Sequence, residues 1–335
     1  MIKFVLKLLF KSLLALLVLV GLIWLLFNWP VQSKNEDMEF GVSFAHHHAE
    51  SLNLDWKETY VAILDDLKVD KIRIAAYWDR IEKEDGSYNW SDVDWQVKEA
   101  QKRGVNLILA MGVKTPRWPE CHIPEFYMEN KEDRENALLK FEEVLVNRYK
   151  DYDNIIHWQV ENEPFLKFFG DCPENAVDAN LVDKEIALVK GLDPDREIIV
   201  TDSGELSIWL KAAERADVFG STLYRVIYKP PFGYVKYPLG PNFFRLKALF
   251  AKLMTGQKNF IISELQVEPW PKAWILHVSL EEQFKTMNPE MFREIIVYTQ
   301  KTNFDEAYLW GVEWWYWLKT KHNKPEMWEE AREVL

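Results

Sequence analysis

Hydrophobic positions fall into two regimes along the chain. From Ser12 to Gln32 (SLLALLVLVGLIWLLFNWPVQ) there is no charged residue and no polar face, over a length that crosses a bilayer at helical rise. Beyond a polar stretch, Ser33 to Asp37, short apolar runs alternate with longer amphipathic ones to the C-terminus. The short runs predict strands at Glu39–Phe44, Lys71–Tyr77, Asn106–Met111, Ile155–Glu161, Glu197–Thr201, Asp217–Thr222, Asn259–Glu264 and Glu306–Gly311. The longer runs predict helices at Trp56–Leu67, Ser91–Arg103, Glu132–Tyr149, Ala179–Lys190, Phe243–Leu253 and Pro289–Lys301, with Gly104 closing the second. Eight β-then-α units over some three hundred residues predict an α/β fold, a (β/α)8 TIM barrel. A doubly wound sheet would open on a glycine-rich turn, and no G-x-G-x-x-G occurs. The aromatic, proline-rich stretch Tyr224–Pro241 reads as a long loop after strand six.

The apolar N-terminal run ends in Phe27, Asn28, Trp29 and Pro30 without a small-x-small cleavage site, and Lys3, Lys7 and Lys11 precede it. These features predict an uncleaved signal anchor over residues 1–32, with the lysines cytoplasmic, a linker at 33–37, and a catalytic barrel at 38–335 outside the membrane. Fifty-three acidic against 41 basic residues give a net charge of −12, which excludes a nucleic-acid partner. Without the three anchor lysines the remainder stands at −15, the charge of a soluble acidic domain and not of a membrane-surface binder. Two cysteines, Cys121 and Cys172, cannot build a disulfide-rich scaffold or a four-cysteine zinc site. Sixteen tryptophans exceed the needs of a core this size, and their flat faces suit sugar rings.

In such a barrel the reacting groups stand at the C-terminal strand ends. Strand four runs His157-Trp158-Gln159-Val160-Glu161-Asn162-Glu163-Pro164, and strand seven ends Phe260-Ile261-Ile262-Ser263-Glu264. Strands four and seven lie across the ring from each other, so Glu163 and Glu264 face each other over the mouth. Glycosidic cleavage needs such a pair, one carboxyl to protonate the leaving oxygen and one to attack or to position water. Asn162-Glu163 with Glu264 resembles the signature of clan A glycoside hydrolases, which include the family 5 cellulases and family 42 β-galactosidases. The resemblance implies a retaining reaction with Glu163 as acid/base and Glu264 as nucleophile, and substrate-binding roles for Arg73, Tyr224 and Trp310. The stretch Trp78-Asp79-Arg80-Ile81-Glu82 through Trp90 and Asp94 is similar to the strand-two loop of several families of the clan. One departure is Leu223, where many family 5 members carry histidine before the strand-six tyrosine.

Arg73, charged within an apolar strand, needs a carboxylate partner, and Glu163 or Glu264 is the obvious one. The Asn162 amide is placed to hold a sugar 2-hydroxyl. Of Trp310, Trp314, Trp315 and Trp317, only Trp310 sits at a strand end as a sugar platform. His46, His47 and His48 are consecutive and cannot all face one ion, so no metal is expected, nor any cofactor. Alternation places Glu161 on the same face as Glu163, one layer deeper, and Glu268 on a loop. Cys121 and Cys172 lie in the neighbouring loops after strands three and four. An oxidising compartment would pair them and set Trp118 beside the mouth as a second sugar platform. The expected activity is O-glycoside hydrolysis of a poly- or oligosaccharide. The alternative is a glycan-binding barrel at the cell envelope that does not cleave.

Overall fold

The computed structural model describes residues 2–174 and 176–335, without the side chains of Ile2, Lys3, Val5 and Leu8. Eight parallel strands close into a barrel: β1 (Glu39–Ser43), β2 (Lys71–Ala75), β3 (Asn106–Met111), β4 (Ile155–Val160), β5 (Glu197–Asp202), β6 (Val218–Leu223), β7 (Phe260–Gln266) and β8 (Glu306–Trp310). Closure is made by β1 on β8, in register from Glu39 beside Glu306 to Ser43 beside Trp310. All eight strands predicted from the periodicity are present, with ends moved by one or two residues.

The helices between them begin where side chains can serve unpaired backbone amides. Asn130 accepts from Glu132 and Asp133 at the head of Lys131–Tyr149, Asp178 from Leu181 at the head of Ala179–Leu192, and Asn288 from Met291 at the head of Pro289–Gln300. The expected helix Trp56–Leu67 is α-helical only to Ala62 and finishes as a π-turn, Ile63–Leu67. The stretch Tyr224–Pro241 is more ordered than its composition suggests: Val226–Lys229 and Gly233–Lys236 pair as an antiparallel hairpin. Inside the barrel Ile108, Ile199, Val218, Ile261 and Tyr308 fill one cluster, and the larger core lies between strands and helices. A Cβ at Gly41 would come within 2.9 Å of the Tyr308 ring, so glycine there makes room for the tyrosine.

Strand β7 carries a bulge. Ile262 pairs with Ser221 but Glu264 with Thr222, so β7 spends one extra residue, Ser263, against β6. Bulges re-aim side chains, and this one sits next to Glu264.

The N-terminal helix runs Ile2–Phe27, starting earlier and ending earlier than the uncharged segment, because Pro30 and the polar Asn28 follow. Its Leu9–Phe27 portion, mean hydropathy 2.5, is long and apolar enough to cross a membrane and is exposed as far as Leu26. Only its end touches the barrel. Phe27 meets Phe243 edge-on at 5.0 Å, and the Asn242 amide donates to the Leu26 carbonyl at 2.8 Å. The 33–37 stretch is tied as well: the Asn35 backbone amide donates to the Gln300 carbonyl, and its side chain to Phe304.

Candidate active site

The C-terminal strand ends gather a buried polar network around Arg73. This residue points inward from β2, is 1% exposed, and distributes four bonds: Nε to Gln159 Oε1 at 2.7 Å, Nη2 to Asn162 Oδ1 at 2.8 Å, Nη1 to Glu264 Oε1 at 3.0 Å and to the Ser263 carbonyl at 3.2 Å. A guanidinium in a barrel interior is tolerable only when its donors are met this fully. Its carboxylate partner is therefore Glu264, and the bulge at Ser263 turns both the carboxylate and the neighbouring carbonyl toward it. Glu264 also accepts from the Tyr224 hydroxyl, at 3.0 Å through its other oxygen. Burial, reinforced by Glu264, pushes the Tyr224 phenol well above its ordinary pKa, so it remains a donor.

Glu163 lies at the end of β4 with a left-handed backbone (φ 46°), its amide donating to Thr201 Oγ1 at 2.9 Å. The Thr222 hydroxyl donates to its carboxylate at 3.3 Å, and buried Lys114 holds its backbone carbonyl at 3.0 Å. Burial first, then the negative charges of Glu264 and Glu120, raise its carboxyl pKa well above the usual range. The two glutamates thus occupy unlike settings: Glu264 receives a guanidinium and a phenol, whereas Glu163 faces other carboxylates. Unlike settings for two carboxyls are the arrangement that separates an acid from a nucleophile.

Glu120 is the site residue that sequence reasoning missed. It is buried, accepts from Asn162 Nδ2 at 3.2 Å, and is pushed up to about 7 by burial and by Glu264. Its backbone is left-handed (φ 74°) beside the Cys121–Cys172 disulfide, whose Cα atoms are 5.2 Å apart. The expected bond is thus formed, and it ties the loop after β3 to the loop after β4. Gly170 also approaches closely, since a Cβ there would fall 2.7 Å from the Cβ of Glu120. An acidic residue inside the already suspicious Trp118-to-Cys121 loop was the available signal.

Trp118 is 61% exposed in that loop. Trp310 is placed differently from a free platform: it is buried, its Nε1 donates to Glu268 at 2.8 Å, and the Arg117 guanidinium lies 4.1 Å over its ring. Arg117 itself ties Glu268 to Glu313, which it reaches at 2.9 Å. Glu268 is therefore a member of an ion-pair cluster at the edge of the mouth. Of the three histidines, His46 and His47 pack together against Tyr77, and His48 turns to Trp274. Among the described residues no group of three or more His, Cys, Asp or Glu could hold a metal ion.

Glu161 departs from the expectation. Strand geometry stops at Val160, and with φ of 61° the alternation no longer carries to Glu161. Its carboxylate accepts from the amides of Val113 at 2.8 Å and Lys114 at 2.6 Å and shares a buried cluster with Glu142 and Glu185, which come from helices outside the barrel. It buttresses the turn that carries Glu163 and stays out of the mouth.

An eight-stranded barrel with Glu163 just past β4 and Glu264 near the end of β7 carries the two carboxyls that glycosidic cleavage uses. The family model for cellulase (glycosyl hydrolase family 5) matches residues 34–226, more than half of the chain, and the protein belongs to that family. The match includes Glu163 and stops before Glu264, and it holds although Leu223 precedes Tyr224. Solved structures of similar fold include a β-galactosidase from the haloarchaeon Halorubrum lacusprofundi (14% identity, TM-score 0.59, 89% of this chain and 57% of that one). Xylanase 10B from Thermotoga maritima (17% identity, TM-score 0.57, 89% and 95%) and a GH10 endoxylanase from a sugarcane soil metagenome (15%, 0.59, 90% and 98%) share it too. This chain thus spans little more than half the length of the β-galactosidase. No curated protein matches the sequence. The protein is a glycoside hydrolase.

Proposed function

We propose that the protein is a retaining glycosidase acting on a poly- or oligosaccharide outside the membrane that its N-terminal helix spans. Glu264 attacks the anomeric carbon while Glu163 protonates the departing oxygen. Glu163 then deprotonates the water that releases the sugar from Glu264. The observation that carries this reading is the contrast in carboxyl environments: Glu163, its pKa raised by burial among carboxylates, is suited to give up a proton, and Glu264, fixed by Arg73 and Tyr224, is suited to attack. Asn162 has one amide hydrogen on Glu120 and a second for the sugar 2-hydroxyl, and Trp118 offers a stacking face at the mouth. With Arg117 over one face of Trp310, that ring serves the sugar site chiefly by holding Glu268 and Arg117 in place.

The test is kinetic and stereochemical. Glu163→Gln and Glu264→Gln should each lower kcat by at least about 10²–10⁴-fold on an unactivated substrate while the fold stays intact. With an aryl glycoside whose leaving group needs no protonation, Glu163→Gln should still form the glycosyl-enzyme, and azide should rescue its release; Glu264→Gln should do neither. Full activity of Glu264→Gln, or a product of inverted anomeric configuration by NMR, refutes the assignment. A glycan that binds tightly and is never cleaved would favour the binding-barrel alternative.

A further inference from the structure

The net charge of the barrel conceals a strong segregation. Acidic residues occur about once in six positions of the chain, yet Val218 to Ser263, 46 residues from β6 to β7, contain none and carry seven basic ones. The helix Pro241–Thr255 lies within this segment. Its apolar residues Phe243, Phe244 and Ala251 face the core, but Leu249, Phe250, Leu253 and Met254 are exposed, at 51, 45, 74 and 61%. Spaced i, i+1, i+4 and i+5, they form one outward stripe. Lys252 and Lys258 flank it and are exposed as well. An apolar stripe rimmed by lysines on a helix without acids has the composition of a helix that lies in a lipid headgroup layer.

This helix is also the one that receives the anchor. The Leu26 carbonyl and Phe27 ring rest on Asn242 and Phe243, the Asn28 amide donates to Pro238 at 3.2 Å, and Arg245 donates to Ser33 at 3.3 Å. A Cβ on Gly240 would lie 2.9 Å from the Phe27 carbonyl, so the contact is close on the backbone side too. The point where the membrane helix leaves the bilayer is therefore pinned to the same helix that exposes the stripe.

From this we infer that the helix Pro241–Thr255 is a second membrane contact, lying flat on an anionic lipid surface with Leu249, Phe250, Leu253 and Met254 in the acyl boundary and Lys252 and Lys258 among the headgroups. The inference rests on the anchor reading and deepens it: the barrel is held on its flank and not free on a tether. Because this helix begins at the mouth end of the barrel, the active site opens alongside the membrane surface, toward polymer lying along it.

The test uses the full chain with its native disulfide intact, reconstituted in phosphatidylcholine vesicles with and without phosphatidylglycerol. Single cysteines at Leu253→Cys, Lys98→Cys on the opposite flank and Leu16→Cys within the anchor carry an environment-sensitive dye, and brominated lipid is the quencher. Quenching at Leu253→Cys roughly threefold or more above Lys98→Cys, increased by phosphatidylglycerol and reduced by Lys252→Glu with Lys258→Glu, is the expected result. Quenching at Leu16→Cys with Leu253→Cys no higher than Lys98→Cys overturns the second contact while leaving the anchor standing. Absence of quenching at all three sites overturns the anchor and the inference together. Disulfide-linked dimers of unlabelled Leu253→Cys in place of quenching assign the stripe to a second copy and likewise overturn it.

Discussion

Arg73→Met probes how the candidate site is held together. Methionine fills much of the guanidinium's volume and supplies none of its donors. Glu264 loses its charge partner at 3.0 Å, and the uncharged acceptors on Gln159, Asn162 and the Ser263 carbonyl each lose a bond from the guanidinium. Because the position is 1% exposed, water does not replace them. Removing one member of a buried ion pair costs about 3–5 kcal/mol, for the carboxylate is left desolvated and unpaired. In a chain of this size that lowers Tm by roughly 4–8 °C. The share owed to charge is separable. If Glu264→Gln is made first, Arg73→Met no longer strands a buried carboxylate, and should cost about 2 kcal/mol less than in the wild-type background. Urea unfolding of the wild type, both single variants and the double variant under one set of conditions gives the coupling directly. Additivity within about 0.5 kcal/mol, the behaviour of independent sites, would refute the claim that the Arg73–Glu264 pair organises the mouth.

Stability should fall as pH rises from 6.5 to 8. Burial lifts Glu142 to about 8, Glu161 to about 7 and Glu185 well above its ordinary value, so across that window the unfolded chain has shed protons that the folded one still holds. Urea midpoints should decline over the window in the wild type and less in Glu142→Gln, and a flat or rising wild-type curve contradicts this. On the acid side the sign reverses. Burial lowers His46 to about 3 and holds His47 and His48 well below 6.5, so the unfolded chain gains protons first and these residues contribute a loss of stability as pH drops from 6.5 toward 3. For the disulfide, thiol titration of the unreduced, denatured protein should find no free thiol, and Cys121→Ser with Cys172→Ser should cost about 2–4 kcal/mol, with two titratable thiols in the wild type rejecting the bond.

Much of the architecture is written in local pattern. Short apolar runs mark where β1 to β8 lie, and capping residues mark where the helices between them begin, because a side chain such as Asn130 or Asp178 serves its own helix start whatever the rest of the chain does. The same locality made Asn162-Glu163 and Ser263-Glu264 legible as strand ends, and the uncharged N-terminal run legible as a helix able to span a bilayer. What depends on two or more segments meeting was decided by tertiary structure alone. The bulge at Ser263 exists only relative to β6, and it turns Glu264 onto Arg73. Glu161 left the mouth because the chain turns left-handed after Val160, a change that strand alternation cannot express. Glu120 entered the site because a disulfide and Gly170 press its loop inward, and Trp310 lost one open face because Arg117, from a different loop, lies across it. Net charge is mute for a related reason: a sum over the chain says nothing about which face receives each sign. Only the folded helix Pro241–Thr255, with the end of the N-terminal helix resting on it, shows where acids are missing and apolar side chains face out.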